Sequence, residues 1–324
     1  MSNNSLPILS QYVRHDAFEK TYDAISVLLA TKDPRNGCII PLLGPTRLGK
    51  TEVIRRLIKN SGPAHSLLPM DNFVQASLPA QVSSREIYAT MLSSMGLKSR
   101  PGDNTASIRN RLFRAIEQFG IRVIAIDECN HVVERGSNLS ARAAADHFKA
   151  VVDETGVNLV LLGLPRFQKI IDNNEQLRDR ASATILFKPY DWQKDGDRDA
   201  FSGTVDAVLT GLEASGVNTD LEFVDLVRRL YGASGGRIPM MMRMMKLCIL
   251  PAKSSALLTI KDFRRAARSM QQSGIPTALF FENEEPDEIE LMRSFSAVMA
   301  EAGLEFEVDT LAGLEVAWGH RAAS

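Results

Sequence analysis

The segment "IIPLLGPTRLGKT", residues 39–51, holds Gly44, Gly49, Lys50 and Thr51 in the order G-x-x-x-x-G-K-[ST]. Each residue type has a task if the ligand is a nucleoside triphosphate. The glycines let the backbone curl around phosphate oxygens. Pro45, Thr46, Arg47 and Leu48 form the wall of that loop. The helix that follows offers the positive end of its dipole. Lys50 would bridge the β- and γ-phosphates of ATP, and the Thr51 hydroxyl would hold Mg²⁺.

"VIAIDE", residues 123–128, supplies the complement. Four apolar residues carry a strand through a sheet, and two carboxylates emerge where parallel strands present ligands. Asp127 would join the Mg²⁺ shell and Glu128 would orient or polarise a water. A second carboxylate beside the metal ligand favours hydrolysis over transfer to a small acceptor. Arginines complete the set. Arg178 and Arg180, in "EQLRDRASATILF", close a helix just before a strand. Either could reach a neighbouring subunit's γ-phosphate, and either could simply satisfy the end of its helix. Arg237 follows a glycine turn in "GASGGRIPMM" and could touch phosphate as a sensor or be an ordinary surface arginine.

These groups need a frame to position them. Residues 37–192 alternate apolar runs ("GCIIPLLG", "AHSLLPM", "IRVIAIDEC", "VNLVLLGLP", "SATILFKPY") with amphipathic stretches, "RFQKIIDNNEQLRDR" among them. That alternation predicts an α/β fold, a parallel sheet sandwiched by helices. Residues 193–273 show helical periodicity and no convincing strand, which predicts a small helical lid. The methionines of "RIPMMMRMMKLCIL" are expected in its core. Residues 274–324 are expected to be an acidic linker and a tail able to dock a partner. Residues 1–36 form an N-terminal segment in which Tyr12 and His15 could border the adenine.

Composition sets outer bounds. The 324-residue chain is 44% hydrophobic and 24% charged with a net charge of -1, so a nucleic-acid surface must be a local cluster. Cys38, Cys129 and Cys248 lie far apart with no metal-ligand spacing, which fits a reducing cytoplasm. No basic-then-apolar leader and no long apolar run stand out, so secretion and membrane insertion are not expected.

Together "LLGPTRLGKT", "RVIAIDECNHVVERG", "NLVLLGLPRF" and "NEQLRDR" resemble an AAA+ ATPase of the TniB/TnsC family of transposition regulators over residues 10–270. By that match Arg180, not Arg178, takes the arginine-finger place. The resemblance implies an ATP-dependent protein that assembles as a homo-oligomer, ring or filament, on double-stranded DNA. It also implies partners: a transposase and a target-selection protein, in some transposons a CRISPR effector complex. Three departures point to slow hydrolysis: Gly163 stands where a polar sensor is usual, Ala181 where an aromatic often follows the finger, and the lid's glycine turn need not carry an arginine.

"SIRNRLFRAIEQF" places Ile108, Leu112, Ile116 and Phe119 on one helix face, with Arg109, Arg111 and Arg114 largely off it. With Lys98 and Arg100 they form the candidate DNA-binding patch, which could equally be a solvated helix face. Sequence-independent binding needs only cations along the phosphates. His131 reads as a structural or subunit-contact residue. Other readings are an AAA+ loader or remodelling ATPase in replication, a signalling NTPase that ignores DNA, and a P-loop kinase.

Overall fold

The computed structural model describes residues 13–31, 36–60, 72–132, 139–249, 256–270, 275–282 and 285–304. The chain divides into two units. One comprises Lys20–Gly44 and Gly49–Phe187; the other comprises Met1–Glu19, Pro45–Leu48 and Lys188–Ser324.

In chain order the first unit begins within α1 (Asp16–Thr31) and continues with β1 (Ile39–Leu43), α2 (Lys50–Asn60), β2 (Phe73–Ser77), α3 (Ser84–Ser94), α4 (Thr105–Phe119) and β3 (Val123–Asp127). It ends with α5 (Ala141–Thr155), β4 (Asn158–Gly163), α6 (Gln168–Asp172), α7 (Glu175–Arg178) and β5 (Ile185–Leu186). The strands form one sheet in the order β2-β3-β4-β1-β5, and every pairing is parallel. Sequence order and spatial order differ, so the chain crosses over between β1 and β2. β1 is buried along its whole length, as a strand covered on both faces must be. Ile124, Leu159, Leu112 and Phe148 share the core between sheet and helices. Caps set the helix ends: Asn104 accepts from the Ser107 amide at 2.8 Å to open α4, and Gly120, at φ 65°, closes it.

The second unit holds α8 (Asp195–Glu213), β6 (Val217–Thr219), α9 (Phe223–Ser234), α10 (Ile238–Ile249), β7 (Ala256–Leu258), α11 (Ile260–Ser269), α12 (Leu279–Glu282) and α13 (Glu288–Glu301). Met240, Met241, Met242, Met244 and Met245 are all buried in its core, as the composition predicts.

Several elements differ from the sequence reading. "AHSLLPM" lies outside the described residues, and the strand before α3 is "FVQAS" instead. The long helix expected before β5 is broken after Asp172, because Asn174 turns out to cap α7 by accepting from the Leu177 amide at 2.9 Å. β5 pairs over two residues only. The helical unit contains two three-residue strands, β6 and β7, too short for any periodicity to announce.

The acidic stretch read as a solvated linker is spent on ion pairs instead. Arg268 reaches Glu282 at 2.6 Å, and Arg228 reaches Glu285 at 3.0 Å and Glu288 at 2.7 Å. These contacts bring down α13, whose Leu291, Phe295, Val298 and Met299 complete the helical core. Residues 275–282 and 285–304 thus pack into that core, in place of the expected linker, and residues 305–324 of the expected tail lie outside the described residues.

Candidate nucleotide site

β1 delivers the glycine loop. Its last residue, Leu43, pairs with Gly163 of β4, and the Gly44 amide donates to the Gly163 carbonyl at 3.2 Å. Gly49 has φ 100°, a conformation only glycine adopts without strain. Arg47, at φ 60°, has no such freedom and holds a left-handed turn at the loop tip. α2 starts at Lys50, directly after that curl.

Lys50 and Thr51 meet the end of β3. Lys50 Nζ donates to the Gly44 carbonyl at 2.7 Å, and Thr51 Oγ1 donates to Asp127 Oδ2 at 2.6 Å. Burial lowers the Lys50 pKa to about 8, although the Asp127 and Glu128 carboxylates oppose the shift. Asp127 Oδ1 accepts from the Glu128 amide at 2.9 Å. Glu128 itself has φ 58°, a left-handed conformation that costs a side-chain-bearing residue about 1–2 kcal/mol. That turn lifts its carboxylate into solvent beside His131, whose Nε2 lies 4.0 Å from Glu128 Oε2. His131 Nδ1 donates to the Leu78 carbonyl at 3.2 Å, tying the end of β2 to this corner.

The donor set suits Mg²⁺. A hydroxyl and a carboxylate converge within hydrogen-bond distance, hard oxygen ligands of the kind that cation takes together with phosphates and water. Among the described residues no group of three or more His, Cys, Asp or Glu could hold a metal alone. A Mg²⁺ here would therefore depend on the phosphates.

Arg180 lies elsewhere. Its carbonyl accepts from the Ile39 amide at 2.9 Å, at the first residue of β1. The glycine loop leaves the last residue, at least about 13 Å along the strand. One side chain cannot span that gap to its own loop. The Arg180 guanidinium is paired with Asp153 of α5 and donates through Nη1 to the Gln176 carbonyl at 2.8 Å. Arg178 is exposed and faces the Asp172 carbonyl at 3.4 Å, at the end of α6 and not of its own helix, while the α7 carbonyl of Gln176 is the one that Arg180 satisfies. Gln176 stands in the "NEQLRDR" segment that carries the family resemblance, but nothing in the sequence pattern flagged Asp153, since a charge on an amphipathic helix reads as its solvated face.

The remaining candidates fall as follows. Arg237 is buried, its Nε donates to the Ser234 carbonyl at 2.8 Å, and burial lowers its pKa to about 10. The turn before it is forced: a Cβ at Gly236 would lie 2.2 Å from the Tyr190 carbonyl oxygen. His15 is buried against the Tyr190 hydroxyl at 3.0 Å, and burial lowers its pKa to about 4. Tyr12 lies outside the described residues. Of the basic patch, Lys98, Arg100 and Arg114 are exposed. Arg111 is committed to Asp103 at 2.7 Å and to the Lys98 carbonyl at 2.9 Å. Arg109 lies over the Phe113 ring at 5.6 Å, and its buried Nε has no hydrogen-bond partner. At Gly163 an added Cβ would meet Asn130 N at an ordinary 3.5 Å, so space alone does not demand glycine.

A parallel sheet in this order, a G-x-x-x-x-G-K-T loop after β1 and an Asp-Glu pair ending β3 define a P-loop protein of the AAA+ class. The chain belongs to the TniB family: the family described as "Bacterial TniB protein" matches residues 9–191. No curated protein matches it. Among solved structures, the Aeropyrum pernix ORC2 protein in its ADPNP-ADP complexes is similar at 15% identity, TM-score 0.57, covering 85% of this chain and 72% of that one. The Walker-type ATPase PABY2304 of Pyrococcus abyssi is similar at 14% identity, TM-score 0.54, covering 79% and 71%. Drosophila ORC bound to DNA matches at 14% identity and TM-score 0.51, covering 100% and 86%. At such identities the likeness is one of fold. Among the described residues no helix is long and apolar enough to cross a membrane.

Proposed function

We propose that this protein hydrolyses ATP to control its own assembly on double-stranded DNA, and that the assembly joins a target-selection protein to a transposase. The observation that carries the reading is the separation of two halves of one catalytic set along β1. The glycine loop, Thr51, Asp127 and Glu128 gather at one end, and Arg180 hangs at the other. A site built this way is completed by the next copy of the chain.

In that site Lys50 holds the β- and γ-phosphates, with the loop residues 44–49 around them. Thr51 and Asp127 would hold Mg²⁺, which would supply positive charge to offset that developing on the phosphates. Glu128, lifted clear of the sheet by its left-handed turn, accepts a proton from the attacking water or orients it. The neighbour's Arg180 stabilises charge on the transferred group. A structure of similar fold in ADPNP-ADP complexes supports the nucleotide, and one bound to DNA supports the second ligand. Membership of the TniB family supports the transposition partners.

For DNA, the exposed Lys98, Arg100 and Arg114 are the cations able to track phosphates, while Arg109 and Arg111 serve the fold. A chain of net charge -1 gains affinity by repeating that patch along a duplex. Electron microscopy with duplex DNA and a non-hydrolysable ATP analogue tests the reading. Rings or filaments are expected, and a protein that stays monomeric overturns it. Directional unwinding or loading would instead favour a replication ATPase. Replacing Lys98, Arg100 and Arg114 by alanine should weaken binding and reduce the salt slope by about 3. Unchanged DNA affinity would remove this patch from the proposal.

A further inference from the structure

α5 and α7 face each other across a charged cleft of about 1070 Å³, lined among others by Arg142, Asp146, Lys149, Asp153, Lys169 and Gln176. None of the glycine-loop residues lines it. At its edge lies a connected set of polar contacts. Lys149 Nζ donates to Gln176 Oε1 at 2.5 Å. The Gln176 carbonyl accepts from Arg180 Nη1 at 2.8 Å. Arg180 Nε donates to Asp153 Oδ1. Gln176 is therefore held by its side chain and holds Arg180 by its main chain, while Asp153 closes the frame from α5.

A guanidinium has five N–H donors in a rigid fork. Two of them are taken here, Nε–H and one on Nη1, which leaves three, including both on Nη2. The edge nearest the main chain is braced and the far end is left to donate. The side chain keeps 31% of its surface open, so the braced group still faces outward. Main-chain bonds anchor the same segment to β1: Arg180 O accepts from Ile39 N at 2.9 Å, and two residues on Ser182 N donates to Ile39 O at 2.8 Å. A long, flexible arginine is thereby held to one orientation before any partner arrives. Pre-arrangement of this kind is what a group acting on a transient charge requires.

We infer that Asp153 is a positioning residue for the reaction, aiming Arg180 at the nucleotide of an adjoining copy, with Lys149 and Gln176 as the rest of the brace. This rests on the reading of Arg180 as a group that acts on a neighbour's phosphate. It assigns a task to a carboxylate that lies in another helix and has no place in the nucleotide motifs.

The test measures ATP turnover across a range of protein concentrations with duplex DNA present. It uses the full-length protein and the variants Asp153→Asn, Asp153→Glu, Arg180→Ala and the double variant Asp153→Asn/Arg180→Ala. Asp153→Asn should lower turnover at full assembly about tenfold. The ATP KM and the protein concentration for half-assembly should not move. Asp153→Glu should restore part of the loss, and the double variant should equal Arg180→Ala. Turnover of Asp153→Asn that is unchanged, or raised, overturns the assignment, the latter because Asp153 would then restrain Arg180. A loss of turnover that tracks a loss of assembly or of melting temperature overturns it too, since that is the mark of a structural pair. The underlying reading fails separately, if Arg180→Ala itself turns over like the unaltered protein.

Discussion

The two ends of β1 are built by different rules. At the end that carries the glycine loop, the backbone is contorted: Arg47, Gly49 and Glu128 all have positive φ, and burial pulls Lys50 down to a pKa of about 8. At the end that carries Arg180 the left-handed backbone falls on glycine caps, Gly120 at φ 65° and Gly156 at φ 69°, and the candidate group is an open ion pair braced by a carbonyl. Strain and burial are tolerated where phosphate must be enclosed and water aimed. Where the proposed function has a neighbouring copy dock from solvent, the group is accessible and steadied by side chains that cost little stability.

This contrast can be broken at either end. The largest effect is expected from Arg180→Ala, which should lower turnover about a thousandfold, the low end of what such arginines contribute. Mixing it with Glu128→Gln should restore part of the rate, because each protomer then supplies what the other lacks. No recovery in a mixing titration would mean that the two ends do not serve one site. Glu128→Gln alone should lose about a hundredfold or more in hydrolysis, keep its ATP affinity, and accumulate assemblies that fail to come apart. Normal turnover would identify another group as the one that handles the water.

Acidity probes the buried end alone. Lys50 in the free protein loses its proton near pH 8, and a bound phosphate raises that value by favouring the charged form. Affinity for ATP should therefore be flat below about pH 8 and fall by up to about tenfold per unit above it. Calorimetry between pH 7 and 9.5 would show this, and Lys50→Arg should flatten the curve. The smallest effects are on stability. Glu128→Gly should raise unfolding stability by about 1 kcal/mol as hydrolysis is lost. Arg180→Ala should change it by no more than about 0.5 kcal/mol. Equal changes in denaturant midpoint for both would erase the distinction between a strained end and a relaxed one.

Much of the buried end could be read directly from the chain, because its chemistry depends on residue type at fixed local spacing. Gly44, Gly49, Lys50, Thr51 and Asp127 announce themselves in this way, and β1, β3 and β4 announce themselves by being apolar on both faces. The left-handed turn at Glu128 could not be read, since nothing in "IDECN" distinguishes it from a continuing strand. The Arg180 end was half legible. Its arginines were visible, but the choice between them came from a family likeness. Asp153 stands 27 residues away on another helix, a contact that no local pattern encodes. The same limit applies to the basic patch. The periodicity of α4 placed Arg109 and Arg111 off its apolar stripe, but could not show that Arg109 lies over Phe113 and Arg111 pairs with Asp103. The acidic run 282–290 misled for a related reason: its partners Arg228 and Arg268 lie far back in the chain.

The Ile39 amide donates to the Arg180 carbonyl and the Ile39 carbonyl accepts from the Ser182 amide, so the arginine and the glycine loop are mounted on opposite ends of one five-residue strand. The strand is a ruler. A buried strand cannot stretch, so under the proposed function its length would set the offset between the loop that receives a phosphate contact and the arginine that gives one. In the assembly proposed above, that offset would be copied from subunit to subunit. Inserting or deleting one residue in 39–43 should therefore alter the rise and turn of the array before it alters the chemistry of any single protomer.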